Sequence, residues 1–271
     1  MEQLKSAFRG TDGLTALDAI TQGKHAYGML AKGFEFQLAT ALRDSLAMQG
    51  VEAEVVEEAS LPQLPEMHCL SRLDCTAEAL LVHDSLGRVA TVEWKEILVI
   101  AAGSVLVTEF KEVRTPLEPS VERGAKMLYS PRRRIGLGLE PGSLELLFEL
   151  AKEYVPPPAE LEKSRREEQQ TKLWLEIILV GAATRYRINA DLSAVALFQY
   201  LGERRTKELP RNFSLLVQDV MRGAPQAALN HGAYTIRENA DELVSYPSKT
   251  VFYNELVRLL WLIGPNQARG E

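Results

Sequence analysis

Ala79-Leu80-Leu81-Val82-His83-Asp84, Ser85-Leu86-Gly87-Arg88 and Val89-Ala90-Thr91-Val92-Glu93-Trp94 make two alternating segments joined by a turn. Side chains alternate across a strand and Gly supplies the positive φ of a tight turn, so the stretch reads as a β-hairpin. Lys95-Glu96 and the apolar run Ile97 to Ala102 follow. They add a further strand, with Trp94 as the inward anchor of the core. Working outward, the meander spans Met67 to Val113, with turns at Asp74 to Glu78, Leu86 to Arg88 and Ala102-Gly103-Ser104. This is the pattern of an antiparallel barrel or sandwich, and not that of a nucleotide-binding α/β sheet.

Upstream, residues 1–23 are weakly periodic, and the first ordered element is expected near Lys24. His25 to Ala31 reads as a short strand. Leu30, Phe34, Leu38, Leu42 and Leu46 recur every fourth residue and put an apolar stripe on a helix that stops at Gly50. Val51, Ala53 and Val55 then alternate with glutamates, as in a strand with one wet face. Residues 24–57 are therefore expected to form a strand–helix–strand unit, the core of an N-terminal domain over 1–60. Leu61-Pro62-Gln63-Leu64-Pro65 begins a linker.

Downstream, residues 114–172 carry Pro116, Pro119, Pro131, Pro141 and Pro156-Pro157-Pro158 and read as an irregular insertion. It contains an expected helix from Ser143 to Tyr154. Its end, Glu160 to Lys172, is dense in charge and reads as a solvated linker or exposed helix. Strands return at Leu173 to Val180 and Thr184 to Ile188 about a turn at Gly181-Ala182-Ala183. Together with 66–113, residues 173–201 make the β domain. The segment 192–201 fits a helix or a strand equally. In the C-terminal region, 202–271, helices are expected at Asn212 to Arg222 and Thr250 to Ile263. The fold class is α+β: an N-terminal strand–helix–strand unit, then an antiparallel barrel or meander with a long insertion, then helices.

The chain has 271 residues, 46% hydrophobic and 25% charged, as in an ordinary globular protein. A formal charge of −6 argues against general polyanion binding, so no nucleic-acid partner is expected. The start, Met1-Glu2-Gln3-Leu4-Lys5, lacks a signal-peptide layout. The longest apolar run, Ile97 to Val107, is 11 residues, short of a membrane span. Two cysteines, Cys69 and Cys75, do not make a disulfide framework. A cytoplasmic location follows as the expectation.

One segment has the ingredients of a ligand site. Arg132, Arg133 and Arg134 precede Gly136, Gly138 and Gly142 ahead of the Ser143 helix. Guanidinium groups, close-approach glycines and helix amides together suit an anion. The spacing is Gly-x-Gly-x-x-x-Gly and no buried strand precedes it, so it is not a dinucleotide fingerprint. His68, Cys69, Cys75 and His83 lack metal-ligand spacing and read as core or surface residues. No nucleophile elbow occurs, His231 sits in a turn-like Asn230-His231-Gly232, and Glu57-Glu58 and Asp241-Glu242 read as solvated pairs. Trp94, Trp174, Tyr186, Phe198, Tyr200 and Trp261 read as core aromatics. Arg185 and Arg187 lie on the strand face opposite Tyr186. Catalytic residues, metal and cofactor are all expected to be none.

The hairpin that ends in Val92-Glu93-Trp94-Lys95-Glu96-Ile97 resembles the early strands of bacterial pleckstrin-homology-like domains, with Leu173 to Val180 and Thr184 to Ile188 as later strands. Residues 24–57 resemble half of a ferredoxin-like module. These resemblances imply a binding or scaffolding role with no catalytic residues to carry over. The expected function is thus non-enzymatic binding, scaffolding or regulation, with a protein partner or small anionic ligand at the loop 123–142. Its rival is an enzyme or nucleotide- or phosphate-binding protein using the Arg132 to Gly142 loop.

Overall fold

The computed structural model describes residues 1–115, 162–181, 184–190 and 194–267. The chain divides into two compact units, residues 1–107 with 170–271, and residues 108–169. Arg132, Arg133, Arg134, Gly136 and Gly138, the rest of the loop 123–142 and the expected Ser143 helix all lie outside the described residues.

The fold is α+β. Among the described residues eight strands form one mixed sheet: β1 (Met67–Cys75), β2 (Ala79–Asp84), β3 (Val89–Glu93), β4 (Ile97–Thr115), β5 (Glu162–Leu179), β6 (Arg185–Ala190), β7 (Ala228–Leu229) and β8 (Ser245–Tyr246). Their order is β3-β2-β1-β6-β5-β4-β7, with β8 also on β4. The expected meander over Met67 to Val113 is present in its first three strands, since β1, β2 and β3 pair antiparallel in sequence order, but β4 does not continue it and lies beside β5 and β7 instead. The barrel is not present, because β1 pairs parallel with β6 and the sheet ends at β3 and β7 without closing.

Three sequence expectations about strands give way to packing. Ala102-Gly103-Ser104 is no turn, and β4 runs straight through it. Gly103 is there because a Cβ would lie 2.4 Å from the Tyr246 ring. Glu162 to Lys172 is the first part of β5 and not a linker, for a strand requires a backbone partner more than apolar side chains, and the long β4 lies beside it. The expected strands at 25–31 and 51–55 have no partner. In the first, Tyr27 at φ 38° and Gly28 at φ 89° break the extended path. In the second, Val51 packs on the N-terminal helices but Ala53 is exposed, as are Glu52 and Glu54, so the alternation has neither a ladder nor a continuous dry face.

The strand–helix–strand unit is therefore replaced by three helices: α1 (Glu2–Arg9), α2 (Ala16–Gly23) and α3 (Phe36–Met48). They close on Ala7, Phe8, Ala19, Leu42 and Leu46. α2 opens on a capping box, with the Thr15 amide donating to Asp18 (2.8 Å) and the Asp18 amide donating to the Thr15 hydroxyl (3.3 Å).

Alternation along β5 sorts the main core into two layers. Leu173, Leu175 and Ile177 face α4 (Leu209–Gly223), α5 (His231–Glu238) and a 3-10 segment Ala194–Arg204 that is kinked at Gly202. That segment gives 194–201 a helical form, while 192–193 lie outside the described residues. Trp174 and Ile178 face α6 (Lys249–Gln267) through Phe252, Leu256 and Leu260. Trp174, 2% exposed, is the central tryptophan of this layer and meets Phe252 edge-on at 5.7 Å. Trp94, expected as the inward anchor, is only half-buried. It starts a 3-10 turn, Trp94–Glu96, that swings it off the β3 ladder.

Asn230-His231-Gly232 is a helix start and not a helix-to-strand turn. The Asn230 side chain accepts from the Ala233 amide and also exchanges hydrogen bonds with both backbone groups of Ala102 on β4. Gly232 lets α5 approach that closely, since a Cβ there would stand 1.9 Å from the Ala102 carbonyl oxygen.

Candidate functional site

An open cleft of about 340 Å³ lies where the end of β1 meets α4. Cys75, Thr76 and Ala77 from the β1–β2 turn form one wall and Trp94 another. Arg204, Asp219, Arg222 and Gly223 complete it. The β3 ladder and the 3-10 turn after it deliver Trp94, whose ring lies on Gly223. A Cβ at 223 would come within 2.5 Å of that ring. The indole N–H donates to the Thr76 carbonyl (3.3 Å), and Gln226 donates to the Trp94 carbonyl (2.6 Å). The aromatic wall is held at both ends.

Asp219 organises the polar side. It sits at the flank of the apolar stripe of α4 and is 7% exposed. Arg204 donates to it through Nη1 (3.0 Å) and Nη2 (2.6 Å), Arg222 through Nη1 (2.9 Å), and the Tyr200 hydroxyl at 3.1 Å. Burial works to raise the Asp219 carboxyl. The hydrogen bonds and charges of Arg204, with Tyr200 and Arg222, outweigh it and hold the group below its ordinary value of 3.8. It stays an anion and its acceptor sites are occupied. The Tyr200 hydroxyl is pushed up by burial and by the neighbouring Cys75 and Asp219.

Cys75 stands in hydrogen-bond contact with Tyr200. Burial first, then Asp219, pushes its thiol up to about 12. A nucleophilic cysteine needs the opposite environment. Among the described residues of the cleft, Cys75 is not poised as a nucleophile and Asp219 has its acceptor sites engaged. Two guanidinium groups facing one carboxylate leave an excess of one positive charge instead. Arg222, whose side chain is 73% exposed, retains donors for an incoming group.

The other sequence candidates lie apart. Cys69 is exposed on β1, and His83 on β2 pairs with Asp74 at 3.0 Å. Among the described residues no group of three or more His, Cys, Asp or Glu could hold a metal. The His231 ring rests on Tyr27 at 5.3 Å, and its backbone amide donates to Glu255. Asp241 pairs with Arg211. The cleft residues Asp219, Arg204 and Tyr200 had one usable signal in the sequence, an aspartate beside the apolar stripe of a helix with Arg222 three positions on. Among the described residues no helix is long and apolar enough to cross a membrane. Comparisons with protein-family models, with curated proteins and with solved structures find no match to this chain.

Proposed function

We propose that this is a non-enzymatic binding protein whose cleft takes an anionic group, a carboxylate or phosphate, against Arg222 and Arg204, with an adjoining flat or apolar moiety on Trp94. One observation carries the reading: the cleft's reactive groups are neutralised while its recognition groups are left presented. Asp219 is fully engaged and the Cys75 thiol is raised, yet a surplus guanidinium and a half-buried indole line the same opening. Both kinds of side chain are favoured in recognition surfaces. The resemblance of the hairpin to pleckstrin-homology-like domains points to the same class of role. The free cysteines Cys69 and Cys75 agree with a reducing, cytoplasmic setting.

The test is calorimetric titration with nucleotides, sugar phosphates and di- and tricarboxylates, with Trp94 fluorescence as a second readout. Binding by one of these classes is expected. Arg222→Glu should weaken it by at least roughly tenfold, the scale of one charge-assisted contact. Failure of every class to bind, or equal binding by Arg222→Glu, would overturn the proposal.

A further inference from the structure

The opposite face of the sheet holds a second cluster in which donors outnumber acceptors. Glu176 on β5 is 0% exposed, and its cross-strand neighbour on β6 is Arg187. Arg187 reaches Glu176 Oε1 through Nε (2.7 Å) and Nη2 (2.5 Å) and stacks 4.1 Å over Trp174. Arg185, two residues earlier on the same face and 8% exposed, makes among the described residues a 3.4 Å ionic contact from Nη1 to Glu176 Oε2. That contact lacks hydrogen-bond geometry, and among the described residues nothing accepts from Arg185 Nε or Nη1. Tyr253 of α6 covers both guanidinium groups, at 5.2 and 5.4 Å, and Lys249 adds a third cation 5.9 Å from the Trp174 ring.

Buried charges in proteins are paired and hydrogen-bonded, because an unpaired one is costly. Here, among the described residues, two buried arginines share one carboxylate; Arg185 keeps two donors without a hydrogen bond, and Arg187 Nη2 and Glu176 Oε2 also lack one. The parallel pairing of β1 with β6 sets Met67 beside Arg185 and Cys69 beside Arg187. Both β1 residues are exposed, so solvent lies one strand away from the cluster, whose Arg185 Nε and Nη1 are themselves buried.

We propose that Arg185, with Arg187 behind it, is a binding site for a small, doubly charged oxyanion: inorganic phosphate, sulfate or the phosphate of a compact monoester. The anion enters over Met67 and Cys69. Aromatic stacking and the Glu176 contact hold the two guanidinium planes in place, so little is lost in ordering them on binding. This site is independent of the cleft beside Asp219.

Two readouts test it on the whole chain. The first is thermal melting in phosphate, sulfate or glycerol phosphate against sodium chloride at matched ionic strength. A rise of roughly 4 °C or more at saturating anion is expected. It should persist in Arg222→Glu, where the cleft is blocked, and vanish when Arg185→Gln is added to that variant. The second is the reaction of Cys69 with a disulfide reagent, which the bound anion should slow at least several-fold, with the raised Cys75 thiol contributing little. Response to the free ions but not the monoester, or the reverse, tells which source of phosphate the site takes. Should Arg185→Gln fail to fold, slowing of Cys69 in Arg222→Glu protein still carries the proposal. Absence of both responses overturns it. So does a melting shift that vanishes in Arg222→Glu, which would place the anion in the cleft.

Discussion

Asp219 and Glu176 are both nearly sealed carboxylates, yet their surroundings are built in opposite proportions. Asp219 collects four hydrogen bonds from three side chains and has no acceptor capacity left over. Glu176 is shared by two arginines and leaves donors unsatisfied. The difference lies in where the side chains come from. Asp219 draws on a kinked 3-10 segment for Tyr200 and Arg204 and on its own helix for Arg222, so donors converge from two directions. Glu176 draws on one adjacent strand, whose two-residue period sets the arginines in a row. Both places carry a surplus of positive charge, but only the first is closed around its acid.

The contrast breaks most sharply at Arg187. Arg187→Leu leaves a buried carboxylate without its main partner and should cost about 3–5 kcal/mol in urea unfolding. A loss below about 1 kcal/mol would mean that Glu176 is buried neutral and that the cluster is not an ion pair. Asp219→Ala should cost less, about 1.5–3 kcal/mol, because Arg204 and Arg222 fall back into water when released. Trp94→Ala should cost about 1–2 kcal/mol, below the figure for a sealed core tryptophan, since its ring is only half-buried. Arg222→Glu should cost about 0.5–1 kcal/mol, since it removes one hydrogen bond to Asp219 and sets a like charge three residues away on a largely solvated side chain, and show its main effect in binding.

The pH response sharpens the same comparison. The Asp219 carboxyl is held below 3.8, so its contribution is present above that value and lost as pH falls through the lower folded value. Burial raises Glu176 above 4.5 against the pull of Arg187 and Arg185. Its contribution is present below 4.5 and lost as pH rises through the folded value. Asp219→Asn should therefore flatten the acid side of the stability profile, and Glu176→Gln the side just above 4.5. Chemical denaturation at a series of pH values measures both. Identical profiles for the two variants would show that the acids are not differently placed.

Local period made part of this fold legible. The hairpin Ala79 to Glu93 and the helices over 212–222 and 250–263 are there because alternation and the i, i+3, i+4 stripe are short-range signals. The charged start of β5 was illegible for the converse reason, since its strand state depends on pairing with β4, far away in the sequence. Arg185 and Arg187 were correctly set opposite Tyr186. Their burial depends on α6 arriving more than sixty residues later to cover that face. Of the cleft, Trp94 was singled out but assigned to the core. Asp219, Tyr200 and Arg204 come together only through the 3-10 segment, whose state the sequence left open.

The unpaired stretch after α3 has a practical consequence. From Gly50 to Glu66 it contains no lysine or arginine, while Glu52, Glu54, Glu57 and Glu58 stand exposed on it. Trypsin has no cleavage point there, whereas a glutamate-specific protease meets five exposed sites, Glu66 included. A brief digestion should therefore nick the chain between α3 and β1. Gel filtration of the nicked protein then reads directly whether the left-handed Tyr27, wedged against His231 and Tyr246, is grip enough to keep the pieces together.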